Sequence, residues 1–184
     1  MISPANGILL IAEPFLKDPN FIRTVTLICK FDAVEGAFGF VINKPGHQQL
    51  GELLPEMTDF DLPIFIGGPV QMDTLHFLHQ SPEHFPEAPE ITSGVYWGGD
   101  FELLKSLIKS GEIKTAGIRF FLGYSGWDAG QLEEEIEEKS WLTVASNPSI
   151  VFNTAADDIW KLSLKLLGGK YEMMINFPTD PQLN

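Results

Sequence analysis

Gly123-Tyr124-Ser125-Gly126-Trp127-Asp128-Ala129-Gly130-Gln131-Leu132-Glu133 packs three glycines and two large aromatics into eight residues, then opens into an acidic segment. Glycine permits backbone angles and close approaches that other residues do not. The stretch therefore reads as a tight strand-to-helix turn. On its upstream side, Ile118 to Leu122 is an aromatic-rich strand. On its downstream side, Gln131 to Lys139 reads as a helix with Leu132 and Ile136 inward and its acids outward.

Working outward, Gly7 to Ala12 is a short apolar run bounded by Gly and Pro, which predicts a buried strand. Thr24 to Phe31 is β-branched and predicts a second strand. Ala37 to Asn43 predicts a third, joined to it through a hairpin-like loop, Asp32 to Gly36. Leu50, Leu53, Leu54 and Met57 follow helical spacing, so a short helix is expected over 48–57, with Pro55 against its C-terminal end. Pro63 to Gly67 reads as a strand running into Gly67-Gly68-Pro69, and Thr74 to His79 fits either strand or helix. Ser81 to Thr92, with Pro82, Pro86 and Pro89, reads as a loop. Val95-Tyr96-Trp97 follows it. Asp100 is placed to cap a helix over 101–110, because a carboxylate accepts the free amide protons of a first turn. Trp141 to Ala145 reads as a strand, and Ala155 to Leu167 as a helix closed by Gly168-Gly169.

Strands and helices alternate irregularly, with a hairpin near the start. That pattern predicts an α+β fold: a single domain over 1–168, with a mixed, largely antiparallel sheet and helices packed on it. Residues 169–184 are expected as a partly flexible C-terminal tail, Pro-rich and polar from Asn176.

Hydrophobic residues make up 44% of the chain, enough for a sizeable core. Net charge is −13, with 12 scattered Lys and Arg against 25 Asp and Glu. Affinity for nucleic acid is supplied largely by Lys and Arg neutralising phosphates. Direct nucleic-acid binding is therefore disfavoured, whereas a basic protein partner, or simple solubility, fits the charge. Cys29 is the single cysteine, so no intramolecular disulfide is expected. The N-terminal apolar run, Ile8 to Ala12, is too short for a signal peptide and lacks a positive flank. No segment approaches the roughly 20 apolar residues of a bilayer span. A cytoplasmic protein with no membrane association is expected. No G-x-G-x-x-G or G-x-x-x-x-G-K-[ST] motif is present, and no cofactor is expected.

Several constellations invite a chemical reading. Gly123-Tyr124-Ser125-Gly126-Trp127 approaches the nucleophile elbow G-x-S-x-G but has Trp in the last position. His76 and His79 are three apart, which is metal-ligand spacing on a helix but opposite faces on a strand. No metal site is expected. Cys29 reads as a small buried hydrophobe, and a reactive thiol would need exposure and a positive neighbour. Asn43-Lys44-Pro45-Gly46 follows a strand and could bind an anion, but a turn with an exposed lysine is the simpler reading. Glu133, Glu134, Glu135, Glu137 and Glu138 read as a solvated helix face.

Ordered blocks of this chain resemble the YqgE/AlgH family of small bacterial proteins. They begin with Gly7-Ile8-Leu9-Leu10-Ile11-Ala12-Glu13-Pro14, Arg23-Thr24-Val25-Thr26-Leu27-Ile28-Cys29 and Gly36-Ala37-Phe38-Gly39-Phe40-Val41-Ile42-Asn43-Lys44-Pro45. Gly67-Gly68-Pro69-Val70, Leu78-His79, Gly98-Gly99-Asp100, Phe121 to Trp127, Gly130 to Glu133 and Trp141 follow in order. The resemblance implies a cytoplasmic α+β domain without established catalytic residues, and one member of the family is regarded as a transcriptional regulator. It nominates Arg23, Thr24, Asn43, Lys44, Gly68, Pro69, His79, Asp100, Tyr124, Trp127, Gln131 and Glu133 as ligand- or partner-binding candidates. The resulting expectation is a non-enzymatic regulatory or interaction protein that acts through a protein partner or small-molecule ligand. The alternatives are a thiol-reactive sensor or enzyme using Cys29, with Arg23 assisting, and a hydrolase centred on Ser125 or His79.

Overall fold

The computed structural model describes residues 1–177. Its strands are β1 (Ile8–Ala12), β2 (Val25–Asp32), β3 (Gly36–Val41), β4 (Pro45–Gln49), β5 (Pro63–Ile66), β6 (Val70–His79), β7 (Glu90–Thr92), β8 (Val95–Trp97), β9 (Ile118–Trp127) and β10 (Trp141–Ala145). The helices are α1 (Leu50–Leu53), α2 (Phe101–Ser110), α3 (Gln131–Glu137), α4 (Ala156–Leu167) and α5 (Lys170–Met174). The strand order is β10-β1-β2-β3-β9-β6-β8-β7, with β4 and β5 branching from β9. The β5–β9 pair is parallel and the other pairs are antiparallel. The fold is therefore a single α+β domain with a curled, largely antiparallel sheet. The curl brings β7 round toward the start of β1, so that a Cβ on Gly7 would lie 2.6 Å from the Ile91 carbonyl oxygen.

β9 is the hub. Every residue in it except Tyr124 and Gly126 is buried, as suits a strand covered on both faces. Residues 120–122 pair with β5 and also with β6, so those two strands occupy opposite edges of β9. Ser125 to Trp127 then pair with β3. The expected turn over 123–127 is thus corrected: the strand continues through it, and the chain turns at Asp128 to Gly130, where Gly130 has φ +80°.

Strand alternation divides the core. Leu9 and Ile11 of β1 join Leu27, Phe40, Phe121 and the α4 residues Ile159, Trp160 and Leu164. Ile8 and Leu10 face the other way, toward Trp127, Leu132 and Trp141 under α3. A third cluster packs Leu104, Leu107 and Ile108 of α2 on Phe77 and Phe120. Burial stabilises each such side chain by about 1.5–3 kcal/mol. Asp100 caps α2 as expected, its Oδ1 accepting from the Leu103 amide at 3.0 Å. Gly111 closes the helix at φ +77°.

One further expectation is corrected. The helix over 48–57 shrinks to α1 and a 3-10 turn at Pro55–Met57, because Gln48 and Gln49 belong to β4. β4 is almost wholly exposed and shows no apolar alternation. Thr74 to His79 is strand and extends back to Val70. Within the expected tail, α5 forms, and Tyr171 and Met174 pack on the main cluster. Residues 178–184 of that tail lie outside the described residues.

Candidate functional site

Because β5 and β6 flank β9, the segment between them must cross it. Gly67-Gly68-Pro69 makes this crossing over Gly123 to Ser125. The Gly67 amide donates to the Leu122 carbonyl at 2.8 Å, and its carbonyl accepts from the Val41 amide at 2.8 Å and the Ser125 hydroxyl at 3.1 Å. A Cβ on Gly68 would stand 2.2 Å from the carbonyl carbon and oxygen of Tyr124. One on Gly123, which has φ +67°, would stand 2.7 Å from the Gly68 carbonyl oxygen. Backbone lies against backbone here, and glycine alone allows it. The crossing sets Val70 opposite Tyr124.

Beside this crossing is an open groove of about 550 Å³ at the margin of the main core cluster. Its apolar wall comes from Phe38 of β3, Val70 and His76 of β6, Trp97 of β8, and Tyr124 and Trp127 of β9. The Phe38 ring centroid is 4.7 Å from that of Trp97 and 6.1 Å from that of Tyr124. His76 lies 5.2 Å from Phe40 and 6.2 Å from Tyr124 by the same measure. Burial holds the His76 pKa below its ordinary value, and its Nε2 is buried without a hydrogen-bond partner. Lys30, Glu35 and Asp128 line the rim, where the Lys30 ammonium lies 2.6 Å from Glu35 Oε2. A second hollow of about 430 Å³ shares His76 and Trp97 and continues past Gly98 and Gly99 to Phe101.

The candidates from sequence separate into several places. Tyr124 and Trp127 line the groove, and Gly68 and Pro69 belong to the crossing beside it. Asp100 borders a different hollow, of about 310 Å³, that also touches Trp97. Arg23, Thr24, Asn43 and Lys44 form a corner held by internal bonds. There the Asn43 side chain accepts from the Val25 amide at 2.7 Å and donates to the Arg23 carbonyl at 2.9 Å. Arg23, at φ +51°, lays its guanidinium 4.9 Å from the Trp160 ring centroid and donates to the Phe177 carbonyl. The Thr24 hydroxyl donates to the Phe21 carbonyl at 3.0 Å, and Lys44 Nζ to the Asn20 carbonyl at 3.4 Å.

His79 is fully buried. Its Nδ1 accepts from the Ser81 amide at 3.1 Å, which assigns the proton to Nε2, facing the Gly98 carbonyl at 3.0 Å. Burial lowers its pKa, and both nitrogens are engaged. Ser125 is 1% exposed and gives its hydroxyl to Gly67. Cys29 is 2% exposed at a register shift between Ile28 and Lys30, and burial pushes its thiol pKa far up. Neither atom is presented to a substrate.

On α3, Gln131 accepts from the Asp128 amide at 3.0 Å and donates to Glu135 Oε1 at 2.8 Å, while Glu133 is half-buried. Glu135 overturns its reading as part of a solvated face. Its Oε2 accepts from the indole N–H of Trp127 at 2.8 Å and of Trp141 at 2.7 Å. Phe38, His76, Trp97 and Glu135 are the residues that sequence reasoning missed. The alternation of Phe38 with Phe40 marks a strand face but not an open one. Arg119 was missed as well. It is buried over the Phe65 ring at 4.4 Å, its Nη1 donates to the Ile42 carbonyl at 2.6 Å, and burial lowers its pKa to about 10. Among the described residues, no three His, Cys, Asp or Glu side chains are grouped to hold a metal ion, and no helix is long and apolar enough to cross a membrane.

A curled sheet threaded through one central strand defines the class: a small α+β domain, here with an open aromatic groove beside a backbone crossing. The chain belongs to the AlgH-like family, whose model matches residues 9–172. It is 43% identical over 178 residues to a UPF0301 protein of Chlorobium limicola, covering 97% of this chain and 95% of that protein. It is 44% identical over 178 residues to a UPF0301 protein of Chlorobaculum tepidum, with the same coverage. The solution structure of the AlgH protein from Pseudomonas aeruginosa matches with a TM-score of 0.73 at 29% identity, covering 97% of this chain and 98% of that one. A crystal structure of a Corynebacterium diphtheriae protein shares the fold, with a TM-score of 0.79 at 22% identity over 96% of this chain and 94% of that one.

Proposed function

We propose that this is a non-enzymatic regulatory or interaction protein, working in the cytoplasm, that engages a protein partner or small ligand through the Phe38–His76–Trp97–Tyr124 groove. The observation that carries the reading is the set of half-buried rings of Phe38, His76, Trp97 and Tyr124 around one open groove. Partly exposed aromatics supply a large share of the energy at binding surfaces. The net charge of −13 supports a route that avoids direct DNA contact, so any effect on transcription runs through the bound partner or ligand. The burial of Ser125 and Cys29 counts against the hydrolase and thiol readings.

The test is amide chemical-shift mapping of the labelled protein against fractionated cell extract, repeated with Tyr124→Ala. The reading expects shifts clustered at Phe38, His76, Trp97 and Tyr124, lost in a variant that keeps its near-UV circular dichroism. Shifts centred on the Arg23–Lys44 corner instead would overturn it.

A further inference from the structure

We infer that the groove receives an organic cation, the guanidinium or ammonium group of a basic polypeptide segment. This deepens the groove reading above and rests on it. The walls are suited to a cation: Trp, Tyr and Phe attract positive charge to their ring faces, Trp most strongly. Phe38, Trp97 and Tyr124 supply one of each around the same opening.

The rim has the matching sign. One lysine faces two carboxylates, and the Lys30 ammonium is already held by Glu35. The exposed Asp128 carboxylate has no cationic partner in the groove lining. An anionic ligand would therefore meet no free positive group in this lining. The surrounding chain, at −13, steers cations inward and repels anions.

The shape favours a polypeptide over a free small cation. The groove is open rather than a closed cup, so it admits a side chain carried on an extended chain.

The experiment titrates the full chain with a short capped peptide carrying one arginine among glycines and alanines. Matched peptides carry citrulline, its neutral isostere, or glutamate at that position. Tryptophan fluorescence and amide shifts report the site. The arginine peptide is expected to shift Trp97, His76 and Tyr124 saturably, with the citrulline peptide weaker by about tenfold and the glutamate peptide silent. Asp128→Asn is expected to weaken the arginine peptide several-fold with an unchanged Tm. Equal binding of arginine and citrulline peptides at the groove overturns the cation and leaves the groove reading intact. No binding of the arginine peptide at millimolar concentration also overturns the cation, while the extract experiment decides the groove independently. Arginine-dependent shifts away from the groove overturn the inference as well.

Discussion

Glu135 offers the sharpest test of the structural account, because sequence and structure assign it opposite characters. In the structure one carboxylate gathers three donors: the indole N–H groups of Trp127 and Trp141 at 2.8 and 2.7 Å, and the Gln131 amide at 2.8 Å. The two indoles are 6% and 2% exposed, so water replaces the lost acceptor poorly. A hydrogen bond to a charged group nets about 1.5–3 kcal/mol, and an orphaned buried donor costs about 1–3 kcal/mol. The three bonds share one carboxylate that must itself leave water, so their effects do not add in full. Glu135→Ala is therefore expected to lose about 2–4 kcal/mol of stability. Glu135→Gln keeps an acceptor oxygen for the indoles but not the charge, and is expected to lose about 1–2 kcal/mol. With a urea m-value of about 2 kcal/mol/M, the alanine variant moves the midpoint down by about 1–2 M. Urea unfolding followed by tryptophan fluorescence measures this, since the probes sit in the perturbed cluster. Exposed neighbours Glu134→Ala and Glu137→Ala serve as controls and should stay within about 0.5 kcal/mol of the parent. If Glu135→Ala falls among the controls, the carboxylate does not hold the two indoles and the account of the α3 cluster is wrong.

Gly68→Ala should cost about 3 kcal/mol or more by driving a methyl into the Tyr124 backbone, whereas Gly130→Ala, with open space around its Cβ at φ +80°, should cost only about 1 kcal/mol. Equal urea midpoints for the two variants would refute the crossing argument. Burial lowers the pKa of both His76 and His79, so the unfolded state binds the extra protons. Stability is then full above about pH 7 and declines as the pH falls through about 6.5, by up to about 1.4 kcal/mol per pH unit for each group. Urea unfolding at pH 7.5 and 5.5 measures the decline, and His79→Gln should flatten it. Cys29 should resist iodoacetamide in the native protein and label fully in denaturant, read by intact mass. Rapid native labelling would reopen the thiol reading.

The legible parts of the fold are those with complete local signals. α2 carries an N-cap at Asp100, apolar residues at Leu104, Leu107 and Ile108, and a left-handed glycine at 111, so its ends and inner face all follow from its own ten residues and their flanks. β1 is a short apolar run between breakers. β4 had no such signal, since its pairing with β5 is made by backbone while its side chains stay in water. β6 was legible only from 74 onward, and there as strand or helix, because its first half is exposed and joins β9 through an irregular register. Glu135 lies among four other glutamates of identical type, and only the packing of α3 against β10 distinguishes it from them.

The groove was legible in half for a related reason. Tyr124 and the glycines around it were conspicuous because a backbone crossing demands unusual residues, and that demand is local. Phe38, His76 and Trp97 come from three other strands, and each alone passes for an ordinary strand residue. Nothing within a window of ten residues says that the curl of the sheet leaves their rings partly uncovered. Two of the glycine-rich blocks that mark the family resemblance, Gly67-Gly68-Pro69 and the one at Gly123, are accordingly explained by topology: they let β5 reach β6 across β9. On the proposed reading, what the groove selects is set by its lining, which includes the rings of Phe38, Trp97 and Tyr124, the His76 imidazole and the Asp128 carboxylate. Substitutions at Gly67, Gly68 or Gly123 would then report on folding, and substitutions in that lining would test recognition.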